Sequence, residues 1–312
     1  MRKISSMGAN THSGINVDSI KNMGDAKLYD CIADTVRVMG ETYCEGCKFE
    51  SINCMGEAYF EKSNIVKAKM MGETEIKNSK FKEVTTMGNL SVKETGQIEN
   101  LKIMGNLYAD NLECNILSVG SKNENFFGIF KINRFLSTGN VKLKGNFSGE
   151  TLESMLDISL DGNFKYKNLI FLNSLKSSSE LECESFYSMD KIELQSINSE
   201  YIFIRPFHGS KVKSLVGSNV MICRDFSVTD EFSKIPKNYS DRTYENYDKE
   251  VGILEIDLIE ADDIYIENVN VNCIRGQNII IGKNCSVKKV EYTNEFEASK
   301  DSVINEKNKE GK

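Results

Sequence analysis

The chain has 312 residues, a net charge of −7 and a hydrophobic content of 40%, with acidic and basic residues interspersed. It lacks the clustered Lys and Arg of a nucleic-acid groove, a run of about eighteen apolar residues that could span a bilayer, and the apolar segment of a secretory signal after Met1. We therefore expect a cytoplasmic protein that does not bind nucleic acid.

Met-Gly dipeptides recur along the first third of the chain. Their glycines lie sixteen residues apart five times in succession and then seventeen residues apart. A short fixed period indicates one structural unit stacked on copies of itself, which predicts a regular solenoid over residues 4–120. The dipeptides are Met7-Gly8, Met23-Gly24, Met39-Gly40, Met55-Gly56, Met71-Gly72, Met87-Gly88 and Met104-Gly105.

Apolar and small residues form three pairs within each unit, and the two members of a pair lie two residues apart. This spacing is typical of strands, where alternate side chains share a face. The pattern predicts an all-β parallel β-helix with three short strands per coil of sixteen residues and coils about 4.8 Å apart. Each glycine should occupy a corner that disfavours a Cβ atom. After Gly40 the pairs are Thr42/Cys44, Cys47/Phe49 and Ile52/Cys54.

Nine cysteines invite a metal or disulfide interpretation, and Cys44 and Cys47 have the CxxC spacing. The repeat instead places five of them at inward positions, where cysteine serves as a small apolar residue. A zinc site would need a second pair of ligands, and the chain has two histidines. We expect buried structural thiols, with zinc binding and redox chemistry as the alternatives. The five are Cys31, Cys44, Cys47, Cys54 and Cys114.

Residues 121–135 interrupt the sixteen-residue repeat and contain four phenylalanines and three basic residues. We interpret them as a Phe-rich insertion that folds over the solenoid, or as a coil with bulky core residues. An alternative is weak peripheral contact with a membrane through Phe126, Phe127 and Phe130.

Beyond this stretch the alternating pattern continues with irregular spacing. We expect degenerate solenoid coils over 136–228 and a linker or loop over 229–250, where apolar alternation is lost. Strand patterns resume over 251–298, which predicts a C-terminal solenoid segment. Residues 299–312 are rich in Lys and Glu and are expected to be disordered.

The glycine-spaced coils and the closing passage resemble the bactofilin-type, polymer-forming cytoskeletal proteins of bacteria. The closing passage runs from Ile259-Glu-Ala-Asp-Asp-Ile through Ile274-Arg-Gly-Gln-Asn to Val290-Glu-Tyr, and it is similar in order and spacing to the C-terminal part of longer, repeat-containing Gram-positive members. The resemblance covers about two thirds of the chain, although Met-Gly stands where many relatives have Ser-Gly. It implies a right-handed triangular β-helix that assembles end to end without nucleotide.

Residues that could carry chemistry are sparse, and we predict no catalytic, cofactor-binding or metal-binding residues. A hexapeptide-type acyltransferase would need a catalytic histidine, but neither His12 nor His208 has a triad-like setting. Three acidic residues at successive corners could bind a cation or form a solvated corner. These are Glu41, Glu57 and Glu73, and Tyr43 and Tyr59 form a stacked strip beside them.

We therefore expect a non-enzymatic cytoskeletal or scaffold protein that assembles with itself through its solenoid ends. The first coil should expose backbone donors, acceptors and core side chains, and such an edge pairs readily with another chain. Other cytoskeletal or envelope-associated proteins are possible further partners. The alternatives are a monomeric or dimeric adaptor that binds through its solenoid surface and, less favoured, a hexapeptide-type acyltransferase.

Overall fold

The computed structural model of the chain describes residues 2–120, 124–224 and 251–310. These residues form parallel strands joined by short corners, with no helix among them. They group into two compact units, Met1–Glu150 and Thr151–Lys312. The all-β parallel solenoid predicted from the repeat is confirmed.

The first unit contains β1 to β13 and most of β14, which crosses the boundary. The strands are β1 (Lys3–Met7), β2 (Asn10–Ser13), β3 (Asn16–Met23), β4 (Ala26–Tyr29), β5 (Ile32–Met39), β6 (Thr42–Glu45), β7 (Lys48–Met55), β8 (Ala58–Glu61), β9 (Asn64–Met71), β10 (Thr74–Met87), β11 (Leu90–Met104), β12 (Leu107–Val119), β13 (Glu124–Ser137) and β14 (Val141–Ser154). The second unit continues with β15 (Ile158–Phe171), β16 (Leu175–Ser188), β17 (Ile192–Ile204), β18 (Ser210–Ile222), β19 (Leu254–Ile266), β20 (Val269–Ile281), β21 (Ser286–Ala298) and β22 (Val303–Lys309).

From β1 to β13 each coil of the first unit pairs with the next in parallel; partners lie sixteen residues apart as far as β10, and the register shifts beyond it. Phe49 on β7, for example, lies beside Ile65 on β9, sixteen residues along the chain. The three predicted inward pairs are confirmed, because all six of their side chains after Gly40 are buried. The second and third sides of the early coils form one eight-residue strand. The bend between them lies at Glu50 and Ser51, where the spacing of buried residues changes from two to three.

Two corners of the coil require backbone with positive φ. At the predicted glycine corner, φ lies between 124° and 150° from Gly24 to Gly105, and a Cβ on Gly56 would lie 2.7 Å from the Gly40 carbonyl oxygen. The second corner, six residues later, was not predicted because its residue type varies from coil to coil. Its members are Gly14, Asp30, Gly46, Lys62, Asn78 and Glu94, with φ between 48° and 65°.

Residues 124–135 are a coil of the solenoid, so the predicted Phe-rich insertion is wrong there; residues 121–123 lie outside the described chain. Leu107 on β12 pairs with Phe126 on β13, and Phe126, Phe130 and Phe135 are buried in the core. Membrane contact through Phe126 and Phe130 is therefore incompatible with this fold. Phe127 is 37% exposed, and its ring stacks on that of Tyr108 at 5.6 Å.

The coils of the second unit are less regular, and residues 225–228 of the degenerate coils predicted over 136–228 lie outside the described residues. Partners lie seventeen residues apart between β15 and β16 but fifteen apart between β19 and β20. The predicted linker at 229–250 lies outside the described residues. Ser210 on β18 pairs directly with Leu254 on β19, so the predicted C-terminal segment belongs to the same unit as the coils before it.

The predicted disorder of the C-terminal tail is wrong for most of residues 299–312. Val303–Lys309 forms β22, which pairs in parallel with β21. The side chain of Lys307 lies over the Phe296 ring, with the ammonium 4.2 Å from the ring centroid. Backbone pairing and this contact hold a segment whose polar composition predicted no order.

The second unit also carries an apolar layer on the outside of one face. Ile170 lies between the inward residues Leu169 and Phe171, and its ladder partners Tyr187, Phe203 and Met221 also point outward. All four side chains are 5% exposed or less. Together with Met189 and Cys223 they form a second hydrophobic cluster, so these outward-pointing side chains are shielded from solvent.

Candidate interaction surfaces

The methionine before each corner glycine points to solvent. Successive methionines are ladder partners, as Met39 is of Met55 and Met55 of Met71. Large apolar side chains at this exposure are unusual, and a continuous row of them marks an interaction surface. We call the row the methionine stripe; it consists of Met7 (80% exposed), Met23 (47%), Met39 (51%), Met55 (50%), Met71 (47%) and Met87 (48%).

Charged rows of opposite sign flank the methionine stripe. The residue two positions before the methionine is basic in several coils, and the residue two positions after it is acidic in four successive coils. All of these side chains are exposed, and none forms an ion pair within the described residues. The basic row is Lys21, Arg37, Lys69 and Lys102, and the acidic row is Asp25, Glu41, Glu57 and Glu73.

Charges elsewhere on the first unit are arranged differently. Lys77 forms ion pairs with Glu61 on the coil before it at 3.3 Å and with Glu94 on the coil after it at 3.2 Å. These contacts raise the pKa of Lys77, while hydrogen bonds from Asn78 and Lys77 lower the pKa of Glu94. On that face a lysine forms ion pairs with acidic residues of the neighbouring coils, whereas beside the methionine stripe each sign has its own row.

The first coil presents a strand edge. Within the described residues β1 pairs with β3 alone. The Asp18 N–H donates to the Arg2 carbonyl at 3.0 Å and the Gly8 N–H to the Met23 carbonyl at 2.8 Å, so even-numbered residues bond toward the second coil. Because hydrogen bonding alternates in a parallel ladder, the N–H of Ser5 points away from the second coil. This edge therefore carries free ladder positions.

Polar side chains fill part of the interior at this edge, while Ile4 and Ile15 of the first coil are partly exposed. Asn22 is buried, and its amide donates to the carbonyls of Asp25 at 2.7 Å and Gly24 at 2.9 Å. Its side-chain oxygen accepts from the Ser6 hydroxyl at 2.7 Å and from the Asn10 amide at 2.9 Å. The edge thus combines free backbone groups with a hydrogen-bonded polar interior.

The cysteines predicted to face inward are all buried free thiols. Burial raises the pKa of Cys54 to about 12, and it also raises the pKa of Cys44. A hydrogen bond with Cys44 lowers the pKa of Cys47. Among the described residues no group of three or more His, Cys, Asp or Glu is placed to hold a metal ion.

The two residues of the tyrosine strip, Tyr43 and Tyr59, form hydrogen bonds with neighbouring glutamates. The Tyr43 hydroxyl donates to Glu45 at 3.3 Å, and the Tyr59 hydroxyl donates to Glu57 at 2.8 Å. The histidines lie in different units: His12 is half-buried on the first coil, and His208 is exposed in a turn before β18.

A polar groove of about 660 Å³ runs along one face of the second unit. Its charged residues are partly neutralised along the ladder, since Lys176 contacts Glu193 at 3.1 Å and Lys211 contacts Glu255 at 3.4 Å. This groove could not be predicted from the sequence, because irregular coil lengths hide which polar residues share a face. Separately, no helix among the described residues has the length and hydropathy needed to cross a bilayer.

Comparison with known proteins gives limited similarity. A stretch of 63 residues is 38% identical to the uncharacterized protein YhbF of Bacillus subtilis strain 168. The stretch covers 20% of this chain and 27% of YhbF, so the match extends over about a quarter of that protein. No protein-family model matches the chain, and no solved structure matches it.

Proposed function

We propose that the protein is a non-enzymatic, bactofilin-type cytoskeletal scaffold, which assembles by stacking its solenoid ends and presents its sides as binding surfaces. The free edge of the first coil carries the proposal. Its unpaired backbone groups are arranged like those that join each coil to the next. Another solenoid end can therefore pair with them and extend the ladder without any change in fold.

The polar interior of the first coil fits reversible assembly. A fully apolar end would make the free protein prone to non-specific aggregation. Asn22 and its hydrogen-bond partners reduce that hazard, while the backbone groups of β1 stay available for directional pairing. Contact between two different ends is heterologous, and such contacts produce open filaments rather than closed rings unless a rotation closes them.

A second candidate is a monomeric or dimeric adaptor, and the polar groove of the second unit favours it. Groove volumes of several hundred Å³ suit small or extended ligands. The groove is lined by polar and charged side chains such as Gln195 and Lys213. A polar ligand would therefore be expected if the protein works in this way.

The Ser5→Pro variant tests end stacking. Proline removes the N–H that points away from the second coil, and edge strands tolerate proline. We expect wild-type protein to sediment as polymers above a critical concentration, whereas Ser5→Pro should remain dispersed at the same melting temperature. Ser5→Ala is the matched control, because it keeps the N–H and should polymerise like the wild type. Equal polymerisation by both variants, or none by the wild type, would contradict the proposal.

A further inference from the structure

The methionine stripe and its charged rows have an arrangement that a solvated corner does not need. Like charges one coil apart, about 4.8 Å, repel each other and destabilise the sheet. Four acidic residues nevertheless follow one another on one side of the stripe, and Lys21 and Arg37 are neighbours on the other side. On the face that carries Lys77, like charges also stack, as Glu45 does on Glu61 and Lys77 on Lys93. There, however, Lys77 compensates the acidic residues through ion pairs with Glu61 and Glu94. The segregated rows therefore favour a partner that supplies the missing charges.

We propose that the methionine stripe is a lateral interface for a second copy of this chain, aligned parallel and in register. Two parallel copies related by a twofold axis along the stripe place the methionines face to face. The same rotation exchanges the two sides of the stripe, so the basic row of each copy faces the acidic row of the other. Arg37 of one copy then lies opposite Glu41 of the second.

Antiparallel copies do not have this complementarity. Their twofold axis is perpendicular to the stripe, and rotation about it leaves each charged row on its own side. The basic row of one copy therefore faces the basic row of the other, and the two acidic rows also face each other. An anionic lipid surface is also disfavoured, because it would be repelled by the row from Asp25 to Glu73. The charge arrangement thus selects both the partner and its polarity, which is the usual role of interfacial charges.

The size of the surface predicts a weak contact. The six coils of the stripe span about 29 Å, and the stripe with its two flanking rows is about 13 Å wide. It would bury about 400 Å² on each copy, compared with about 800 Å² per partner in a standard interface. The contact should therefore depend on concentration, and alignment of several copies by end stacking would strengthen it through multivalency.

Cross-linking of single-cysteine substitutions tests the interface and its polarity. In a parallel, in-register pair, Met23 faces Met23 and Met87 faces Met87. A short bismaleimide should therefore cross-link Met23→Cys with itself and Met87→Cys with itself. Wild-type protein controls for the native thiols, and Lys48→Cys, an exposed position away from the stripe, controls for random collision. These positions lie on the side of the coils, so cross-linking in the Ser5→Pro background reports on the lateral contact without end stacking.

Charge reversal adds a second arm. By symmetry Arg37→Glu disrupts two contacts and should weaken cross-linking in the Met23→Cys background about three- to ten-fold. Glu41→Arg should do the same, and an equal mixture of the two variants should restore cross-linking, because their reversed charges match. Cross-linking no faster than for Lys48→Cys would overturn the proposal. Cross-links that form only between Met23→Cys and Met87→Cys would also overturn it, since they indicate antiparallel copies.

Discussion

The corner glycines are the residues on which each coil depends most directly. At Gly56 the backbone has a φ of 136°, and a Cβ atom would lie 2.7 Å from the Gly40 carbonyl oxygen. Both the torsion angle and the close approach exclude larger residues, because backbone cannot move aside as a flexible side chain can. The regular Met-Gly grid is therefore a consequence of stacking one glycine corner on another.

We expect Gly56→Ala to lower the free energy of unfolding by about 1–3 kcal/mol, because it combines positive φ with a steric clash. Gly120→Ala is the matched control. Among the described residues its Cβ would meet no atom closer than the Met104 Cγ at 3.9 Å, so its effect should stay within about 0.5 kcal/mol. Urea unfolding of both variants measures the difference, and equal stability would show that the corner is not as described.

Buried thiols give the protein a characteristic response to alkaline pH. Burial raises the pKa of Cys54 and of Cys114 to about 12, from an ordinary value of 9.0. Between these values the folded state keeps both protons while the unfolded state loses them. Unfolding therefore becomes more favourable as the pH rises above 9, and the stabilisation is lost progressively toward pH 12.

We expect the melting temperature of the wild type to fall more steeply above pH 9 than that of a Cys54→Val/Cys114→Val variant. Valine is close to cysteine in size and does not titrate, so comparison of the two pH profiles isolates the thiols from the lysines and tyrosines. Differential scanning fluorimetry from pH 7 to 11 measures the slopes. Parallel profiles would mean that burial does not raise the pKa of these thiols above their value in the unfolded chain.

Elements with a clear period were predictable, and those without one were not. The three inward pairs per coil could be derived because Met-Gly marks every unit between residues 7 and 105. Residues 124–137 keep three inward pairs, but one extra residue separates the first pair from the second, and their large aromatic side chains suggested a Phe-rich insertion. Strand β22 was missed because its stability comes from backbone pairing with β21, which a polar sequence does not reveal.

The candidate surface could be predicted only in part. The acidic row was visible as Glu41, Glu57 and Glu73 at one repeat position. The basic row was overlooked because Asn53 and Thr85 interrupt it. The sequence does not show whether the methionines face inward or outward, because the geometry of the corner shifts the alternation between inward and outward residues. That geometry required the structure.

The strand β13 provides a test at the level of an element. Phe130→Ala should lower the free energy of unfolding by about 3–5 kcal/mol, because it empties a buried site where the ring of Phe130 stacks on that of Phe147 at 4.5 Å. Phe127→Ala, three residues earlier on the opposite face, should cost about 1 kcal/mol, the value of its exposed stacking on Tyr108. Urea unfolding compares the two, and a larger effect at Phe127 would reverse the assignment of the faces.

At the scale of the whole molecule, nearest-neighbour pairing links the fold to the proposed function. From β1 to β13 each coil is joined to the next by parallel backbone pairing, with side chains of the same column stacked on one another. Nothing in this arrangement depends on the number of coils, so a second chain can continue it. A lateral contact along the methionine stripe would then set the polarity of neighbouring filaments.

Electron microscopy of the purified full chain tests the central claim most directly. If solenoid ends stack, filaments should form at high protein concentration without nucleotide, and their power spectra should show an axial reflection near about 4.8 Å. Short particles of uniform length at every concentration, with no filaments, would contradict end stacking and would favour the adaptor.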